Sequence, residues 1–172
     1  PEVRAAATGQ GAAEDTTSAA DRQAALALPG AEEDPCCMGT EAMESLEVLK
    51  GFVREELADQ RTYLLLSHGL TNTPARRLFR TLAAEEGRHA RRLIAAIYLI
   101  TGERYCPTIC YPPLECSGYC ETLRARYHEE ACGSFNYARA SDGAVDPCLR
   151  QLFTELSADE GRHARLVLEL LS

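Results

Sequence analysis

Two stretches of the chain decide the fold: LFRTLAAEEGRHARRLI (Leu78–Ile94) and LFTELSADEGRHARLVL (Leu152–Leu168). Ten of their 17 aligned positions are identical, and Glu-Gly-Arg-His-Ala-Arg runs through both. The offset of 74 residues also carries Leu49 onto Leu123, Glu56 onto Glu130 and Tyr63 onto Tyr137. Each half therefore reads Glu, then Tyr seven residues later, then Glu-x-x-His beginning 30 residues after the first Glu. The chain is an internal duplication.

Both copies are helical by period. Leu78, Leu82, Glu86, His89, Leu93 and Ile97 follow one another in steps of 4, 4, 3, 4 and 4, as do Leu152, Leu156, Glu160, His163, Val167 and Leu171. Those steps hold every member on one side of a helix. Each stripe is apolar at both ends and ionisable in the middle, whereas a lone surface helix would turn its Glu and His outward. Four helices are expected, over about Glu41–Ser67, Thr73–Thr101, Glu121–Ala140 and Asp146–Leu171. Thr73-Pro74 and Asp146-Pro147 read as N-caps followed by Pro at the first helical position. Strand signals are almost absent. Two helix pairs related by duplication predict an all-α four-helix bundle with a pseudo-two-fold axis.

The stripes carry a chemistry. Residues i and i+3 on a helix point the same way, so Glu86 with His89 can offer oxygen and nitrogen to one metal ion, and Glu160 with His163 to a second. Glu56 and Glu130 supply further carboxylates. Four Glu and two His are the ligand set of two-metal carboxylate sites in helical bundles. Four carboxylates balance two divalent cations, with both imidazoles neutral. Without cations, four inward carboxylates would each carry a desolvation and repulsion cost of several kcal/mol, or hold protons. With 19 Glu and four His in 172 residues, chance supplies about 0.4 Glu-x-x-His matches. Two matches, each inside an apolar stripe and each 30 residues after an inward Glu, are a different matter. The alternative is a duplicated bundle that keeps these residues and binds no metal. Tyr63 and Tyr137, two turns from Glu56 and Glu130, are placed to donate hydrogen bonds to ligating carboxylates, or else are core aromatics. Arg88 and Arg162 read as surface ion-pair residues, and His68, His128 and Glu129 as surface or cap residues.

Composition sets the outer bounds. Eighteen Lys and Arg against 26 Asp and Glu give a net charge of −8, which repels phosphate backbones and argues against nucleic acid. No apolar run approaches the ~18–20 residues of a membrane span. No basic n-region precedes an apolar h-region, so a cytoplasmic location is expected. Residues 1–35, with 11 Ala among the first 34 and no aromatic residue, read as a disordered tail, leaving 36–172 for the bundle. Residues 102–119 hold Pro107, Pro112, Pro113 and three cysteines, with a fourth, Cys120, directly after, which argues against helix and marks a crossover.

These residues resemble the rubrerythrin-like branch of the ferritin-like superfamily over about residues 44–171. The resemblance rests on Glu56…Tyr63, Glu86-Gly-Arg-His89, Glu130…Tyr137 and Glu160-Gly-Arg-His163. It implies a di-iron carboxylate centre that reduces hydrogen peroxide or dioxygen in oxidative-stress defence. In it Glu86 and Glu160, taken as the catalytic residues, would bridge the metals. Glu56 and Glu130 would be terminal, and His89 and His163 would cap one metal each. Manganese suits the same ligands. Two departures stand out. Rubrerythrins carry a further ligand Glu at the position of Gly133, so this site is nearer the symmetric six-ligand type also seen in bacterioferritins. Full-length rubrerythrins carry a rubredoxin domain with paired Cys-x-x-Cys; no such spacing occurs here, so an external electron donor is expected. Gly87, beside Glu86, replaces the Met that ligates haem in bacterioferritin. In ferritin-like topology the second and third helices are parallel, so the crossover must run back along the bundle. Eighteen extended residues reach ~60 Å, against ~42 Å for a 28-residue helix.

Cys106 and Cys110, and Cys116 and Cys120, form C-x3-C pairs. Cys36 and Cys37 adjoin, and Cys132 and Cys148 stand alone. They read as reduced thiols, as disulfides pinning the crossover and the Cys36-Cys37 segment, or as a separate zinc or iron–sulfur site. Cys132 lies two residues from Glu130, hence on another face. Competing functions are iron storage without peroxidase turnover and a structural protein with a vestigial site. The protein could act as a homodimer.

Overall fold

A computed structural model describes residues 38–109, 111 and 118–171. After a 3-10 turn at Thr40–Ser45, four helices follow: α1 (Leu46–Gly69), α2 (Thr73–Thr101), α3 (Tyr119–Gly143) and α4 (Pro147–Glu169). No strand occurs among the described residues. The expected tail at 1–35 lies outside the described residues, as do Cys36, Cys37, Cys110 and Cys116.

The helix starts follow capping chemistry, with one correction. Asn72, not Thr73, caps α2: its side chain accepts the Ala75 N–H at 3.0 Å, which places Pro74 at the second helical position. At α4 the expectation holds, because Asp146 accepts the N–H groups of Cys148 and Leu149 at 2.9 Å each. The first helix begins later than its period suggests: Ser45 makes no side-chain cap bond, and the turn before it is 3-10. The third is longer at both ends, with Glu121 accepting the Gly118 N–H at 3.2 Å.

Apolar burial is split into two clusters, one at each end of the bundle. Leu49, Phe52, Val53, Leu93, Ile97, Leu149, Phe153 and Leu156 form one; Tyr63, Leu66, Phe79, Leu82, Leu123 and Val167 form the other. The chain passes from the first cluster to the second along α1, back along α2, back again along α3 and forward along α4. Helices α2 and α3 therefore run parallel, and α1 packs along α2 as α3 packs along α4. Residues 105 and 111, on the way from α2 to α3, lie against α1: the Tyr105 hydroxyl accepts from Arg54 at 3.1 Å, and Arg61 stacks 4.3 Å from the Tyr111 ring centroid. The Cys- and Pro-rich residues between them and α3 are outside the described set. Phe79 and Phe153, one position past each stripe, are fully buried and widen the apolar face beyond the narrow line read from the sequence.

This is a ferritin-like four-helix bundle. Its packing bears on the glycines that follow Glu86 and Glu160. A Cβ on Gly87 would lie 2.2 Å from the Gln60 amide of α1, and one on Gly161 would lie 3.2 Å from the Ser134 hydroxyl of α3. Side chains of the neighbouring helix, Gln60 and Ser134, occupy the space beside these glycines at the level of the ionisable layer.

Candidate metal centre

Between the two apolar clusters lies a layer of buried ionisable side chains. Glu56, Glu86, His89, Glu130, Glu160 and His163 are all buried, none more than 7 % exposed. All six predicted ligand residues come together there, one or two from each helix. Around His89 Nδ1 stand Glu86 Oε2 and Glu160 Oε1 at 3.1 Å and Glu56 Oε2 at 3.3 Å. Around His163 Nδ1 stand Glu86 Oε1 at 3.1 Å, Glu130 Oε2 at 3.3 Å and Glu160 Oε1 at 3.9 Å. Two sets of donor atoms result, each within 4.8 Å of one another: Glu56, Glu86, His89 and Glu160, and Glu86, Glu130 and His163. Glu86 belongs to both, with one oxygen toward each imidazole. The two rings are stacked with centroids 5.6 Å apart.

The donor atoms fit a metal better than they fit each other. Both oxygens of Glu86, Glu130 Oε2, Glu160 Oε1 and the Nδ1 atoms of both histidines are buried without a hydrogen-bond partner. Several carboxylate oxygens crowd each Nδ1, and one N–H cannot point at all of them. Orphaned buried polar atoms are costly and rare. Six converging on one layer are what a coordinated cation satisfies.

The surrounding groups fix the donors in place. The Tyr63 hydroxyl of α1 donates to Glu130 of α3, and the Tyr137 hydroxyl of α3 donates to Glu56 of α1. The tyrosines thus cross between halves, each holding the other half's carboxylate. Burial, reinforced by the facing carboxylate, raises both phenols well above their ordinary range, so both act as donors. On the far edge of each imidazole, His163 Nε2 lies 2.6 Å from Glu85 and His89 Nε2 lies 3.3 Å from Asp159. A proton held on Nε2 by these carboxylates leaves Nδ1 free to ligate.

Glu85 and Asp159 were not singled out by the sequence reading. The signal was present, since an acidic residue precedes the inward Glu in both halves. An i−1 neighbour sits about 100° around its own helix, and here that direction faces the histidine of the other half. Arg88 and Arg162 are ion-pair residues, as expected, but their partners belong to this layer. Arg162 contacts Glu85 at 2.9 Å and Asp159 at 3.0 Å, while Arg88 reaches only Glu85, at 3.3 Å. His68 and His128 are exposed. Cys106, Cys120 and Cys132 are exposed free thiols, and Cys132 is in neither donor set.

Without a cation the layer must hold protons. Burial pushes Glu160 up to about 9 and Glu56 up to about 7. Burial also opposes the charge on the imidazoles, but the facing carboxylates together raise His89 to about 12 and His163 to about 11. For Glu86, burial is outweighed by the two histidines, which lower it to about 2.

Glu85→Gln and Asp159→Asn keep the shape of the outer partner and remove its charge. Each is expected to weaken metal binding by roughly 10–100-fold, the usual consequence of losing such a partner. A competition titration with a chromophoric chelator would measure it; unchanged affinity in both variants would remove these residues from the site.

A duplicated helix pair enclosing four carboxylates and two imidazoles defines the class: a ferritin-like bundle with a buried carboxylate–histidine cluster that could hold metal. The chain belongs to the rubrerythrin family, whose model, Rubrerythrin, matches residues 47–171. Comparison with curated proteins gave no match, and neither did comparison with solved structures.

Proposed function

We propose that this site holds two iron ions and that the protein reduces hydrogen peroxide or dioxygen with electrons from an external donor in the cytoplasm. The observation that carries the reading is the set of six unpartnered donor atoms in one buried layer, supported by the family match over 47–171. Four carboxylates, two neutral imidazoles and two divalent cations give a neutral centre. Bound ferrous ions would supply the two electrons that cleaving an O–O bond requires.

The chain's own residues set the conditions for that chemistry. Glu86 would bridge, since its two oxygens already divide between the two donor sets. Glu160 would be the second bridging and catalytic carboxylate; its Oε1 lies nearer His89 than His163. Glu56 and Glu130 would be terminal ligands, each held by a tyrosine hydroxyl that keeps its own proton. His89 and His163 would each take one metal through Nδ1, with Nε2–H fixed by Asp159 or Glu85. The apolar clusters close the layer at both ends of the bundle and lower the local dielectric, which strengthens the charge interactions within it.

The test is metal analysis of protein purified without added metal, followed by peroxide consumption with a chemical reductant. Two iron atoms per chain and sustained consumption are expected. One round of iron oxidation without sustained consumption would favour storage, and two manganese ions with peroxide disproportionation would favour a catalase-type reaction. Failure to bind any divalent cation would leave a vestigial site.

A further inference from the structure

The ionisable layer is closed on one side and open on the other. Toward α2 and α4, Arg162 spans Glu85 and Asp159, and the nearby surface hollow is rimmed by Arg80, Arg88 and Arg91. That side is positive and repels cations. Toward α1 and α3, a cavity of about 190 Å³ reaches in from the surface to Glu56, Glu130 and Glu160. Its outer wall carries Glu55, Asp59 and Glu129.

We propose that this acidic cleft between α1 and α3 is the route by which divalent cations load the buried centre, with Gly133 as the gap that keeps it open. The inference rests on the two-metal reading above. Three observations support it. First, the duplication repeats a Glu-Glu dyad, Glu55-Glu56 and Glu129-Glu130. Neighbours on a helix are about 100° apart, so the inner Glu of each dyad is buried among the ligands and the outer one is exposed at the rim. Among the described residues, no hydrogen bond or ion pair engages Glu55 or Glu129, so packing does not explain them.

Second, the inner wall holds ligand atoms lacking partners. Glu130 and Glu160 are more than nine-tenths buried, and each has one oxygen without a hydrogen bond. A cation moving inward would pass from exposed carboxylates to buried ones. Third, Gly133 sits mid-helix, where glycine is disfavoured by about 1 kcal/mol relative to Ala. A Cβ there would lie 3.2 Å from Glu160 Oε2. The duplication itself does not demand glycine, because its counterpart is Asp59, whose carboxylate lies 2.8 Å from Arg126. What glycine provides is space beside Glu160. A cleft of one charge sign in a low-dielectric wall raises counter-ion association rates by ~10–1,000-fold, in a salt-dependent way.

Stopped-flow loading of the chelator-stripped full chain with Co²⁺, followed by its visible absorption, tests the route. The unaltered protein is expected to take up two equivalents, faster at low salt. Glu55→Gln/Glu129→Gln should load about tenfold more slowly at low salt, with the difference shrinking at high salt, and still reach two equivalents. Gly133→Leu should load slowly at every salt concentration. The exposed Glu47→Gln, elsewhere on α1, should load at the unaltered rate. A double-Gln variant that keeps its fold by circular dichroism and loads at the unaltered rate would overturn the route. An unaltered protein that fails to take up two Co²⁺ would overturn the two-metal reading itself.

Discussion

Glu86→Ala is expected to purify with less than one divalent cation per chain, against two for the unaltered protein. Glu86 is the one residue in both donor sets, with Oε1 3.1 Å from His163 Nδ1 and Oε2 3.1 Å from His89 Nδ1. Its removal leaves three carboxylates to neutralise two divalent cations. One set loses a ligand and keeps Glu56, His89 and Glu160; the other keeps only Glu130 and His163 within 3.3 Å. Glu130→Ala makes the contrast. It removes a ligand from the second set alone and should leave one cation per chain. Elemental analysis on protein of confirmed helicity decides the matter. A second reading comes from stability: cation at 100 times Kd adds about 2.7 kcal/mol to a fold that binds it, and that increment should be absent from Glu86→Ala. Retention of two equivalents by this variant would sink the assignment.

The six Glu and His side chains of the buried layer were legible in the sequence because the duplication wrote each feature twice. A single Glu-x-x-His is compatible with any surface ion pair. The same tetrad repeated within matching apolar stripes fixes the inward direction, and that direction then selects Glu56 and Glu130 over their neighbours Glu55 and Glu129. The four-helix architecture followed from the same periodicity. Other features needed three dimensions. That Tyr63 serves Glu130, and Tyr137 serves Glu56, depends on α1 and α3 facing each other, which no one-dimensional spacing encodes. Glu85 and Asp159 escaped because a residue adjacent to an inward Glu turns aside on its own helix. Only the approach of α2 to α4 makes that sideways direction point at a histidine. Cap identity at α2 was misread for a local reason. Asn72 and Thr73 are both good N-cap types, and the choice between them rests on which side chain reaches the free N–H groups.

The duplication is symmetric in its buried Glu and His side chains and asymmetric around them. Arg162 grips both outer carboxylates, whereas Arg88 touches one. Asp59, paired with Arg126, stands where the other half has Gly133. Both positions line the same cleft: α1 contributes a carboxylate held by a cation of α3, and α3 contributes a gap beside Glu160. The duplication thus repeats the buried Glu and His side chains while the residues around them differ between the halves.

Rising pH is expected to destabilise the chelated protein and not the metal-loaded one. Glu160 and Glu56 have folded-state values of about 9 and about 7, above the ordinary carboxyl value of 4.5. Groups raised on folding favour the fold fully below their unfolded value, and that contribution is lost as pH climbs to the folded one. For these two the loss runs from about pH 4.5 to 7 and to 9. The imidazoles add to it: raised from 6.5 to about 12 and about 11, they withdraw their contribution above pH 6.5. Glu86 works in the opposite sense. Lowered to about 2, it favours the fold above pH 4.5 and withdraws that contribution as pH falls toward 2. Between pH 5 and 9 the folded chelated chain thus holds more protons than the unfolded one, and each extra proton lowers stability by about 1.4 kcal/mol per pH unit. Loading exchanges those protons for cations. At pH 7 it should release between about three and four, from Glu160, the two imidazoles and the half-protonated Glu56, measurable by calorimetry in buffers of different ionisation enthalpy. The melting temperature of the chelated protein should fall across pH 5–9, and that of the loaded protein should not. A chelated protein whose stability rises with pH over this window would mean that the buried carboxylates are already ionised, and that cations are not what balances their charge.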